Sequence, residues 1–234
     1  SGTVWAGQPT EITVQISGFD TSHDIDQIGI FLLSSTNANN DIPTTDGWSI
    51  LSDGMGGSNN YIEYASIDSN VLTHSWILRA DEVGEKVLFV SVHHGDNSGA
   101  DAGSPFFGVS QAFEITVEAI PENLQRIDPE YQPPTSREVG ESTSLCIETI
   151  AASSVAIEWR EPSGESYQVE TTQNNGCWNA VLPSALLPST IEWRAILDGE
   201  GPQQTTPWFS LTSAEPTWEA DETALLLQSI AHFV

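Results

Sequence analysis

Apolar and polar residues alternate along short stretches of this chain, and the stretches are separated by clusters of Gly, Asn, Asp and Pro. Ile12, Val14 and Ile16 alternate with polar neighbours, as do Leu72, His74, Trp76 and Leu78. Period two places one set of side chains on one face of a pleated strand, so each run predicts a strand with a single buried face. Seven such runs fill the first half: 10–17, 28–34, 47–51, 61–67, 72–79, 86–93 and 107–118. Six more follow at 144–150, 155–160, 167–170, 177–182, 190–197 and 207–211, with turn signals such as Pro162-Ser163-Gly164 and Asn174-Asn175-Gly176 between them. Many short strands with no alternating helices predict an all-β chain of sandwich type.

Residues 120–138 contain four prolines and no sustained alternation, which marks a linker or a first irregular strand. With the boundary near Pro121, the organisation reads as two tandem β-sandwiches, 1–120 and 139–214, joined by 121–138. Residues 215–234 behave differently. After Pro216, Asp221 and Glu222 sit at a helix start and ALLLQSIAHFV follows, apolar on nearly all sides. The run is shorter than the about 20 residues that span a bilayer, and it reads as a short C-terminal helix that begins a membrane anchor continuing beyond Val234. The opening SGTVWAGQPT has no basic and apolar leader, so the start reads as a mature terminus.

Charge narrows the partners. Asp and Glu number 33 against 6 Lys and Arg, a net charge of -27. Lys86 and five scattered arginines form no basic footprint, which excludes a nucleic-acid binder and disfavours anionic lipid. The two halves differ in kind, with 10 Asp in residues 1–120 and 3 in 121–234. Asp in Gly- and Asn-rich loops suits a hard cation, and calcium is the cofactor such loops would take. Asp96 and Asp101 with His93 in HHGDNSGAD, and Asp24 with Asp26 in DTSHDID, are the candidate metal ligands. Adjacent His93 and His94 point to opposite faces of a strand, and the second segment lacks the Gly and Glu of an EF-hand, so an ordinary polar loop and an Asx-turn explain the same residues. The two cysteines, Cys146 and Cys177, predict a disulfide and an oxidising compartment. They lie on strands expected to be neighbours within one sheet.

Catalytic signatures are missing. The sequence has no Gly-x-Ser-x-Gly, no His-Glu-x-x-His and no phosphate loop; Gly54-Met55-Gly56-Gly57 has no following lysine. Glu63, Glu158 and Glu192 fall on strands, where a carboxylate pair for glycoside cleavage would need a spacing that sequence does not set. Tryptophans on strands are core residues by default, which leaves Trp5, Trp208 and Trp218 as platforms for a glycan.

Three segments carry a resemblance: GQPTEITVQISG, GGSNNYIEYASID and LTHSWILRADEVGEKVLFVSVHHGDNSGADAG. Together they resemble the Reeler-like, choice-of-anchor secreted domain of bacterial and archaeal surface proteins. The matching positions are Tyr61 to Ala65, Thr73 to Ala80 and Val87 to Asp101, and His93-His94 depart from the small or Asn residues usual there. Residues 136–212 are similar to Ig-like (fibronectin III-like) modules at Ile157 to Arg160, Trp178 to Pro183 and Trp193 to Gly199. The resemblance implies a non-catalytic, extracellular ectodomain of a prokaryotic cell-surface protein, membrane-anchored, that binds a protein or glycan in adhesion or presentation. It leaves two alternatives: an accessory domain of a membrane redox or transport complex, and a carbohydrate-active enzyme.

Overall fold

A computed structural model describes residues 3–19, 25–34, 45–94, 107–109, 112–162 and 164–215, with the side chains of 25–27, 93–94 and 107–109 outside the description. Nine strands lie in the first part: β1 Val4–Trp5, β2 Pro9–Ser17, β3 Ile25–Leu33, β4 Trp48–Ser52, β5 Tyr61–Ile67, β6 Val71–Ala80, β7 Gly84–His94, β8 Phe107–Val109 and β9 Phe113–Glu118. They form a sheet of order β1-β9-β7-β3-β5, with β8 also on β7, and a three-stranded sheet β2-β6-β4. Val14, Trp76 and Leu78 on the small sheet close on Ile30, Leu32, Leu88 and Val90 on the large one. The alternation of the sequence is thus spent on one shared core.

The run expected at 107–118 is two strands. β8 pairs with Ser91–His93 and β9 with Gly84–Leu88, so the 11-residue β7 serves both along its length. The order of strands also departs from simple succession. β4 lies between β3 and β5 in the chain yet pairs with β6 in the opposite sheet, and the chain then returns to pair β5 with β3.

Ten strands make the second sandwich: β10 Arg126–Ile127, β11 Ser136–Glu138, β12 Thr143–Ile150, β13 Ala152–Arg160, β14 Tyr167–Val169, β15 Thr172–Asn174, β16 Cys177–Leu182, β17 Ser189–Gly199, β18 Gln204–Thr205 and β19 Phe209–Ala214. One sheet is β10-β12-β16-β15 and the other β11-β19-β17-β13-β14, with β18 on β17. This is the strand order of an immunoglobulin-like sandwich with extra edge strands. Leu145, Ile147 and Leu182 face Ile157, Trp193, Phe209 and Leu211 across it. The proline-rich segment 121–138 therefore contributes β10 and β11, whose few pairs are set by their partners. Gln125, fully buried, ties its start to the second sandwich by donating to the carbonyls of Pro202 and Gly201. The expected C-terminal helix falls on residues 216–234, outside the described residues.

The two sandwiches share apolar surface. Leu51 and Ile77 point away from the first core, on the outer face of the β2-β6-β4 sheet, and are buried with the residues of the second core. Polar contacts flank them: Gln8 Nε2 donates to the Ile127 carbonyl at 3.0 Å and Arg79 Nη1 to that of Tyr131 at 3.0 Å.

Candidate functional site

The seam between the sandwiches holds a cleft of about 310 Å³, near the low end of the range for small-molecule pockets. Glu11 of β2, Thr73 and Ser75 of β6, and Ser52 and Gly54 after β4 form one wall; Arg160, Glu192, Trp208 and Ser210 of the second sandwich form the other. On that second wall the register places Glu158 opposite Arg194 and Arg160 opposite Glu192 on neighbouring strands β13 and β17. Both pairs close, each at 2.7 Å. The two guanidinium carbons then lie 4.0 and 4.3 Å from the centre of the Trp208 ring. A cation over an indole is attracted by the ring quadrupole, so the cluster is held by ion pairs and cation–π contacts together. Trp208, expected as a glycan platform, lies against both arginines.

At the other wall a buried polar network fixes the loop that follows β4. Asp53 is 2 % exposed. Its Oδ1 accepts from Met55 N and Gly57 N at 2.9 Å, and its Oδ2 from Asn59 N and Nδ2 at 3.1 Å. Four donors converge on one carboxylate because the glycines let the main chain curl around it. A Cβ on Gly57 would sit 2.6 Å from Oδ2, so only glycine fits there.

His74 locks this loop to the sheet. Its Nε2 lies 2.7 Å from the Asp53 carbonyl, which only accepts, so Nε2 carries the proton and Nδ1 accepts from the Tyr64 hydroxyl at 2.8 Å. Burial lowers the His74 pKa and outweighs the opposing pull of the Asp53 carbonyl and carboxylate. Burial raises that of Tyr64. The neutral pair, packed with His74 edge-on to Trp76, serves as a hydrogen-bonded strut.

Of the residues expected to hold a metal, Asp24, Asp96 and Asp101 lie outside the described residues, and Asp26 and His93 are described only as backbone of β3 and β7. Pairing of Ile28 with His94 and of Ile25 with Ile67 brings the start of β3, the end of β7 and the end of β5 to one end of the sheet. Among the described residues no three His, Cys, Asp or Glu side chains are grouped to hold a metal. Glu63 accepts from the Tyr61 hydroxyl on the exposed face of β5. Trp5 is half-buried at the edge of a second, about 200 Å³ hollow in the seam, and Trp218 is outside the described residues.

Cys146 and Cys177 form a disulfide with a Cα–Cα distance of 5.3 Å. They sit on the antiparallel neighbours β12 and β16, two residues out of register, so the bridge is a diagonal one within one sheet, as expected. Sequence reading missed Asp53, Tyr64 and His74 as a unit. Asp53 followed by a glycine-rich turn and Asn59 carries the signal of an Asx-type loop, and His74 falls in phase with the buried positions of β6.

No family model matches the chain, and no curated protein matches it. Solved structures similar to it include a chimeric titin Z1Z2 functionalized with an exogenous peptide from decorin, at 13% identity over 92% of this chain and 93% of that one, TM-score 0.28. Dimeric latent PorU from Porphyromonas gingivalis matches at 12% identity over 92% of this chain and 19% of that one, TM-score 0.31. Tandem Ig repeats of Dlar match at 9% identity over 92% and 93%, TM-score 0.28. The immunoglobulin-like assignment rests on strand order and pairing rather than on these likenesses. Among the described residues no helix is long and apolar enough to cross a membrane.

Proposed function

We propose that this chain is a non-catalytic, extracellular ectodomain of a prokaryotic cell-surface protein, anchored in the membrane through its C-terminal side and working in binding, adhesion or presentation of a protein or glycan ligand. The observation that supports this most directly is the engagement of Glu158 and Glu192. Each of these strand carboxylates is committed to an arginine at 2.7 Å, on a sheet face that also buttresses the first sandwich. A carboxylate whose oxygen is engaged by a guanidinium is already occupied, which suits structure better than proton transfer. The disulfide supports an oxidising compartment. The sequence resemblance to Reeler-like domains agrees with the same setting.

In this reading calcium is the ligand of the acidic loops carrying Asp24, Asp26, His93, Asp96 and Asp101, which flank β3 and β7 in the sequence. Carboxylate and amide oxygens are the donors a hard cation prefers. Binding to the folded state alone raises stability by RT ln(1 + [L]/Kd). Millimolar calcium should raise the first melting transition above that in sodium chloride of equal ionic strength. Identical shifts in the two salts would remove the calcium site. The wider reading is tested on intact source cells. External protease should release the chain, with Cys146 and Cys177 bonded in thiol-blocked digests, and the purified protein should release no product from a glycan panel. A reduced, protease-shielded chain, or sustained hydrolysis, would overturn it.

A further inference from the structure

The end of the second sandwich from which β19 leads to residue 215 presents two leucines to solvent. Leu186 is 87 % and Leu187 73 % exposed, in a loop bounded by Pro183 and Pro188. Most exposed apolar side chains stand singly and need no explanation, but these two are adjacent, and Val181 nearby on β16 is 56 % exposed. The base of the loop is pinned. Arg137 Nη1 donates to the Pro183 carbonyl, and Gly140 N donates to the Ala185 carbonyl at 2.8 Å. The leucines are thus held out on a fixed support.

Their position relative to the chain's exit is also set by hydrogen bonds. Val139 N donates to the carbonyl of Ala214, the last residue of β19, at 3.0 Å, and the adjacent Gly140 bonds Ala185. The leucine loop therefore lies about 10 Å, two strand spacings, from the point where β19 ends. Residues 224–234, ALLLQSIAHFV, follow nine residues later in the sequence. Among the described residues, the two most exposed large apolar side chains thus lie at the end of the sandwich from which the chain continues beyond residue 215.

We propose that Leu186 and Leu187 contact the bilayer, dipping below the headgroups to seat the second sandwich against the membrane beside the anchor. This rests on the membrane-anchored reading above. Charge selects the lipid: Glu138, Glu141 and Glu215 are exposed around the same end, and the chain carries -27, so the surface that fits is zwitterionic rather than anionic. The leucines add apolar contact, and the neighbouring anchor raises their effective concentration at the membrane.

The test uses the full 234-residue chain and phosphatidylcholine vesicles, with an environment-sensitive fluorophore on Ser184→Cys, an exposed position beside the loop. The expected result is co-sedimentation with vesicles, and quenching of the probe by lipids spin-labelled near the headgroups. Leu186→Ser with Leu187→Ser should abolish the quenching and lower partitioning by at least about 100-fold, the lower bound for withdrawing two leucines from an apolar phase. Val83→Ser on the first sandwich, where Val83 is 56 % exposed, should change neither. Co-sedimentation with an unquenched, water-exposed probe overturns the loop contact and leaves the anchor standing. Loss of co-sedimentation in the unaltered chain overturns both. A probe already shielded in buffer, and exposed when Thr223–Val234 is deleted, also overturns it by showing that the tail covers the loop.

Discussion

Replacing Asp53 by alanine removes the one acceptor around which residues 53–59 are wound. Three main-chain donors, on Met55, Gly57 and Asn59, lose their partner together, with the Asn59 side chain a fourth. A hydrogen bond to a charged group contributes about 1.5 to 3 kcal/mol net, and an orphaned buried donor costs about 1 to 3 kcal/mol. The four bonds are not additive, because the carboxylate's burial is offset only once. Water also reaches part of the opened loop. Asp53→Ala is therefore expected to lower unfolding stability by about 3 to 5 kcal/mol, near the upper range for single substitutions. Urea unfolding followed by tryptophan fluorescence measures it, aided by Trp76, whose Nε1 donates to the Asn59 carbonyl in the same loop. Gly57→Ala supplies an internal check. Its methyl group would meet Asp53 Oδ2 at 2.6 Å, so its cost should shrink in the Asp53→Ala background. A loss below about 1 kcal/mol, or a Gly57→Ala cost equal in both backgrounds, would show that water or a shifted loop satisfies these groups and refute the reasoning.

Reduction of the Cys146–Cys177 bridge, which closes a separation of 31 residues, should cost the second sandwich roughly 3 to 4 kcal/mol in the chain-entropy account. Denaturant midpoints with and without reductant read this, and coincident midpoints would contradict it. His74 is held neutral by burial, so the unfolded chain binds the extra proton and stability falls as pH drops below the ordinary histidine value of about 6.5. His74→Gln should flatten this part of the stability–pH curve; an unchanged slope would place its origin at another histidine.

What could be read from the sequence follows the strength of local alternation. Ile12, Val14 and Ile16, and Trp76 with Leu78, announce their faces without help, and the bridge within one sheet followed from strand succession. Strands of two or three residues, such as β1, β10 and β18, carry no periodicity of their own and exist because a neighbour offers hydrogen bonds. The switch of β4 to the opposite sheet is a tertiary choice, made where Trp48 joins the first core and Leu51 the second. Trp208 shows the same limit at the site. Arg160 and Arg194 are distant in sequence, and only the pairing of β13 with β17 sets them together beneath the indole. Asp53 was hidden for the opposite reason: among 33 acids, a single buried one has no distinguishing neighbour except the glycines that wrap it.

An early strand of each sandwich pairs in parallel with its last, β1 with β9 and β11 with β19, and this has a mechanical side. A tether anchored at one end and gripped at the other is pulled through its terminal strands. Parallel terminal strands slide past each other under such a load, so their hydrogen bonds bear it simultaneously, in shear, rather than opening one at a time. The bridge between β12 and β16 then acts as a stop, withholding about 100 Å of contour length, the reach of the 31 residues it spans, from any extension. Under such a load the unbridged first sandwich yields first, and the bridged second one stays short.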